Sequence, residues 1–233
     1  MPLYYSMFDP TYILVMIGAV ICLAASSRVK TTFAKYSRVR SARGLTGREA
    51  AERILASQGL GDVKVMHVSG HLSDHYDPRT RTVNLSDATY NQNSVAAVGV
   101  AAHECGHAIQ HQQAYGTLTI RTAIVPLANF GSMAAWPLII LGIFIGGSTS
   151  SLLINLGILA FSLSVMFQVV TLPVEFNASS RAIRLLEETG ILGNEEIGGT
   201  KSVLSAAALT YVASVAASLL QLLRLVMIAR RRD

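Results

Sequence analysis

"TAIVPLANFGSMAAWPLIILGIFIGGSTSSLLINLGILAFSLSVMFQVVTLPV", Thr122–Val174, contains no charged residue, and Arg121 and Glu175 close it at its two ends. A helix needs ~20 apolar residues to cross the hydrocarbon core of a bilayer. The run is long enough for two crossings, and the polar "GGSTSS" at Gly146 to Ser151 supplies a turn between them. We therefore read 121–172 as a transmembrane helical hairpin. Outward from it, a second uncharged run lies between Asp9 and Arg28, most of it "TYILVMIGAVICLAAS", and predicts an N-terminal anchor over 1–27. This anchor is retained rather than cleaved, because no basic stretch precedes its apolar core. A further run, "SVLSAAALTYVASVAASLLQLL", lies between Lys201 and Arg224 within 201–233 and is rich in Ala and Ser, which suit close helix packing. Two readings of it stand: a full crossing, or a partly re-entrant helix that turns Tyr211 toward a site.

Composition agrees with these spans. With 51% hydrophobic and 14% charged residues, the chain falls outside the range of ordinary soluble domains. Eight Lys/Arg lie between Arg28 and Arg53 against Glu49 and Glu52, directly after the first run, and the positive-inside rule assigns that segment to the cytoplasm. The same charges suit a lipid bilayer with anionic headgroups. No aromatic or Gly-rich binding signature accompanies them, so no nucleic acid is expected as a partner. The two cysteines, Cys22 inside the first run and Cys105, predict no stabilising disulfide.

The segment 28–120 holds the polar elements. Thr46 and Glu49 form a capping-box pair, followed by a short helix with Ala50, Ala51, Ile54 and Leu55 on its apolar face and Gly59 or Gly61 at its end. "VKVMHVSG" alternates like a strand, and "DHYDPRTRTVNLS" carries an Asp77-Pro78 turn signal, together predicting a small β-hairpin. Then "NSVAAVGVAAHECGHAIQH" starts at a cap, Asn93 or Ser94, and keeps a helical rhythm to His111. Past the transmembrane hairpin, 173–200 reads as a helix opened by Pro173 and stopped near Gly190.

Within the segment Ala101–His111, "AAHECGHAIQH", His103 and His107 lie one turn apart on one helix face and can share an ion, with Glu104 beside them. This is the His-Glu-x-x-His arrangement of zinc peptidases, and a catalytic zinc takes three protein ligands with an open fourth position. His111 lies about 12 Å along the helix from His103, too far to share an ion held at roughly 2 Å. Gln110 and Gln113 stand where a metzincin carries Gly and a third His, which excludes that class. Cys105 lies about 200° round the helix from His103 and faces away. Glu175 is the remaining third ligand. Two crossings separate it from His107, and an even number returns the chain to the side it left.

Three stretches, "GHLSDHYDPRTRTVNLS", "VAAHECGHAIQH" and "LPVEFNASSRAIRLL", in that order and between spans, closely resemble the YugP-type neutral zinc metallopeptidases of bacterial membranes, and more distantly the HtpX-type membrane proteases. The resemblance implies that His103, His107 and Glu175 bind Zn2+ and that Glu104 is the catalytic base. It also implies a bacterial plasma-membrane protein. One departure is visible: an acidic residue is expected at Asn177 in that pattern, and here only the polar Asn177 and Ser179 are available. An amide can hydrogen-bond a ligand histidine but raises its basicity less than a carboxylate does.

The expected architecture is mainly α and integral to the membrane, with three to four transmembrane helices and a small α+β, zincin-like catalytic unit at the membrane surface. The expected activity is hydrolysis of peptide bonds in peptide or membrane-protein substrates by a zinc-activated water, with Glu104 as general base and the site facing the cytoplasm. His75, Tyr76 and Tyr211 are candidate donors to the oxyanion. The hairpin can offer an edge strand to an extended substrate. A site-two type intramembrane protease requires a later Asp-Gly motif, which this chain lacks. The remaining alternative is a non-enzymatic membrane scaffold that keeps a structural zinc.

Overall fold

The structure, a computed structural model, describes residues 9–145 and 147–230. It is mainly helical, with four long apolar helices and a small three-stranded sheet. The elements are α1 Tyr12–Tyr36, α2 Gly47–Ser57, β1 Lys64–His67, β2 His75–Asp77, β3 Thr82–Leu85, α3 Val95–Gln112, α4 Gly116–Ile145, α5 Gly147–Glu188 and α6 Asn194–Arg230. Of these, α1, α4, α5 and α6 are long and apolar enough to cross a membrane. The chain divides into two compact units, one of Met1–Ala25, Thr119–Leu172 and Thr210–Asp233, the other of Ser26–Leu118 and Pro173–Leu209.

In the first unit, small residues let helix backbones approach. A Cβ on Gly131 would lie 2.5 Å from the Ala160 carbonyl oxygen, and one on Gly157 would lie 2.9 Å from that of Ala135. Such contacts drive helix association where lipid removes the hydrophobic incentive. The serines of the hairpin tip are not a loop. Helix α5 begins at Gly147, in the left-handed region at φ +66°, and the buried Ser150 donates its hydroxyl to the Gly142 carbonyl at 2.6 Å. The expected turn residues from Gly147 to Ser151 thus belong to α5, and Gly146 lies outside the described residues. Arg224, near the end of α6, places its guanidinium 4.0 Å from the ring centre of Tyr12.

Pro173 does not start a helix, as its sequence signal predicted; it lies inside α5, which runs on to Glu188. A proline inside a helix removes one hydrogen bond and crowds one carbonyl. The helix nevertheless continues through it, as α4 does through Pro126 and Pro137. The predicted stop near Gly190 is present, with φ +59°. From Asn194 the chain continues as one unbroken helix through the run first read from residue 201, so no re-entrant break interrupts it.

The second unit is built around α3. Ser94 caps it by accepting from the Ala97 amide, and most of its length is buried. Helix α2 packs beside it through Ala50, Ala51, Ile54 and Leu55, held at its start by the expected Thr46–Glu49 capping box and ended by Gly59 at φ +70°. The predicted hairpin is present as β2 and β3, with Tyr76 opposite Val83. The sheet is larger than a hairpin, because β1 joins the other edge of β3 in parallel, giving the order β1-β3-β2. Strand β3 turns Val83 and Leu85 into the core. Helix α5 meets α3 where Gly106 faces Ala178: a Cβ on Gly106 would lie 2.6 Å from the Ala178 carbonyl oxygen.

Gly106→Ala should therefore force α3 and α5 apart and destabilise the protein by about 1–3 kcal/mol, the usual cost of overpacking. Gly61→Ala, in open space, should leave stability unchanged. Thermal unfolding of the detergent-solubilised chain measures both.

Candidate metal centre

The two histidines of α3 and the glutamate of α5 meet in the second unit. The His103 and His107 rings stand edge to face, with centroids 4.8 Å apart, and their Nε2 atoms lie 3.4 and 3.5 Å from Glu175 Oε2. One ligand atom from each residue lies within 4.8 Å of the others. The Glu175 side chain is only 6% exposed, and its Oε2 accepts no hydrogen bond from the described residues. A buried carboxylate oxygen without a donor is costly unless a cation neutralises it. Two imidazole nitrogens and one carboxylate are also the donor set that zinc prefers. By both tests these residues fit a zinc ion.

The opposite sides of the rings are held as well. His107 Nδ1 lies 2.9 Å from Gln110 Oε1, and Gln110 Nε2 lies 2.8 Å from the Val174 carbonyl and 2.9 Å from Asn177 Oδ1. Asn177 Oδ1 also accepts from Arg181 Nε at 2.7 Å, and Arg181 Nη1 donates to Gln113 at 2.7 Å. Partner chemistry sets every direction. A backbone carbonyl only accepts and a guanidinium only donates, so Gln110 must turn its NH2 toward Val174 and Asn177 and its carbonyl toward His107. His107 Nδ1 must then carry the proton, which leaves the Nε2 lone pair aimed at Glu175, as a metal ligand requires. On the other ring, Ser179 Oγ lies 3.1 Å from His103 Nδ1.

Electrostatics favour a cation here too. Burial works against a charged His107, but the Glu175 and Glu104 carboxylates outweigh it and hold the imidazole pKa above its ordinary value. Glu104 follows His103 on α3 and is 8% exposed. Cys105 is fully buried, donates weakly to the Ala51 carbonyl, and has its thiol pKa pushed far up by burial. As read from the helical spacing, it takes no part in the group.

The other sequence candidates have hydrogen-bond partners or places of their own. Tyr76 bonds His111 Nδ1 through its hydroxyl at 2.9 Å. His75 is exposed, with its ring nitrogens 2.9 Å from the Ser73 carbonyl and 3.2 Å from Asn84 Nδ2. Tyr211 falls within the first unit and is 40% exposed. Asn177 reaches a ligand histidine only through Gln110, while Ser179 touches His103 directly. Gln110 is the residue the sequence reading missed. It served only to exclude metzincins, although its position three residues past His107 puts both on one helix face.

Comparison with known proteins places these observations in a family. The model of the family described as "Putative neutral zinc metallopeptidase" matches residues 11–230. The "Putative membrane protease YugP" of Bacillus subtilis (strain 168) is 52% identical over 204 residues, covering 88% of this chain and 89% of that protein. No solved structure matches.

Zinc should bind one per chain and raise the unfolding temperature at neutral pH. Because the His107 pKa is raised, protons occupy its Nε2 as pH falls, and the zinc-dependent gain should vanish in mild acid. Gln110→Leu should weaken zinc binding about 10- to 100-fold in competition with a chelator.

Proposed function

Because the chain belongs to the neutral zinc metallopeptidase family, we propose that it is a membrane zinc endopeptidase whose ion is held by His103, His107 and Glu175. The observation that carries this reading is the convergence of two imidazole Nε2 atoms on a buried carboxylate oxygen that finds no hydrogen-bond donor among the described residues. A zinc ion bound there supplies Lewis acidity, which lowers the pKa of a water toward neutrality and polarises an amide carbonyl. Glu104 takes the proton of the attacking water and passes it to the departing amine nitrogen. Gln110 keeps the His107 ring in its ligating tautomer, with Asn177 and Arg181 fixing Gln110 in turn.

The substrate in this reading is a peptide segment laid in extended form along β2, an edge strand of the sheet among the described residues. Tyr76 ties that strand to α3 through His111, and so holds the edge beside the histidine-bearing helix. Its hydroxyl and the ring nitrogens of His75 hydrogen-bond these neighbours, and both residues remain our candidate donors to the oxyanion. The run of basic residues from Arg28 to Arg53 supports a cytoplasmic site in a multi-pass plasma-membrane protein.

A scaffold with a structural zinc is the less favoured reading. Structural sites close with four protein ligands, usually including cysteine. Among the described residues three such ligands come together, and Cys105 is turned toward the Ala51 carbonyl.

Glu104→Gln should keep one zinc per chain while peptide hydrolysis falls about 100- to 10,000-fold. Zinc analysis and cleavage of a casein-type substrate, run on the same preparation, measure both quantities. A variant with full activity would remove Glu104 from the mechanism.

A further inference from the structure

Away from the metal centre, the second unit carries a cavity of about 450 Å³ between α1 and α6. Arg28, Thr32, Lys35 and Tyr36 line it from α1, and Lys201, Ser202 and Ser205 from α6. The spacing explains the shared face. Arg28, Thr32 and Lys35 follow one another by four and three positions, and Lys201 and Ser205 by four, so each set stacks along one side of its helix. Three cations line the cavity, and no carboxylate is among the lining residues. Lys201 reaches one acid outside the lining, Glu187 Oε1 at 3.3 Å, and the Lys35 ammonium lies 5.1 Å from the centre of the Tyr36 ring. One carboxylate against three cations leaves an excess of two positive charges at one opening.

The position of the cavity along both helices identifies the anion. Arg28 directly follows the uncharged run 10–27 of α1, and Lys201 directly precedes the uncharged run 202–223 of α6. The cavity therefore lies where each helix passes from charged to apolar sequence, the level at which a spanning helix meets headgroups. Ammonium and guanidinium groups with neighbouring hydroxyls are the donors that bind phosphate oxygens. Ser202 donates its own hydroxyl to the Gly198 carbonyl at 2.9 Å, so the neutral hydroxyls left in the lining are those of Thr32, Tyr36 and Ser205.

We propose that this α1–α6 cavity is a binding site for a phosphate group, held by Arg28, Lys35 and Lys201. Such a group arrives either as the headgroup of an anionic phospholipid or as a soluble phosphate ester. The site is separate from the zinc ligands and does not depend on peptidase activity.

The test uses the full chain in a neutral detergent, titrated with short-chain phosphatidylglycerol in one arm and glycerol 3-phosphate in the other, with short-chain phosphatidylcholine as the zwitterionic comparison. Arg28→Gln, Lys35→Gln and Lys201→Gln are each set against Lys30→Gln, which removes an equal charge from α1 outside the cavity. These side chains are exposed, so the variants keep the fold, as circular dichroism verifies. Each cavity variant should weaken phosphatidylglycerol binding roughly fivefold, about 1 kcal/mol per cation near a charged headgroup, while Lys30→Gln changes it little. Binding of the lipid alone identifies the headgroup as the source, and equal residue-dependent binding of glycerol 3-phosphate identifies the phosphate itself. The proposal is overturned if Lys30→Gln costs as much as the cavity variants, if phosphatidylcholine binds equally well, or if no variant alters binding in either arm.

Discussion

A buried carboxylate oxygen that none of the described residues hydrogen-bonds sets the terms for the second unit. Glu175 Oε2 faces the Nε2 edges of two imidazoles at ion-pair distance, and none of the three groups gains from this arrangement without positive charge between them. A proton on an imidazole supplies some of that charge, and a divalent ion supplies more. The same group of atoms thus has the geometry of an ion pair when an imidazole is protonated and the donor set of a candidate zinc site.

Bringing those atoms together requires helices to approach more closely than ordinary side chains allow. Gly106 lets the α5 backbone at Ala178 lie against α3, which places Glu175 beside the histidine face. The glycine and alanine contacts of Gly131 and Gly157 follow the same physical rule in the first unit. Small residues thus serve two purposes in this chain, close packing of apolar helices and positioning of a polar site.

The support behind the ligands is unusual in its charge. Carboxylates commonly hold the far nitrogen of a ligand histidine and raise its basicity. Here an uncharged amide, Gln110, does so for His107, with Asn177 as its partner and the guanidinium of Arg181 behind both. The orientation is defined from both ends, by the Val174 carbonyl and by Arg181, so the tautomer is specified although the ring gains little basicity. Position is controlled more tightly than ligand strength.

Much of this was legible along the chain. Uncharged runs marked the four long apolar helices, because lipid tolerates no charge over a crossing. The i, i+4 spacing marked His103 and His107, because helical geometry is local. The Thr46–Glu49 cap, the Ser94 cap and the stop at Gly190 were readable for the same reason. Elimination along the chain left Glu175, which the fold brings to His103 and His107. Other features depended on segments distant in sequence. Pro173 reads locally as a helix start, yet α5 runs through it from Gly147 to Glu188. Strand β1 pairs in parallel with β3, an outcome that no hairpin signal encodes. The role of Gln110 exists only once α5 brings Val174 and Asn177 to it across 64 and 67 residues. Periodicity and charge act between near neighbours and can be read from one dimension, whereas the direction of a hydrogen bond is decided by whichever distant partner folding sets opposite it.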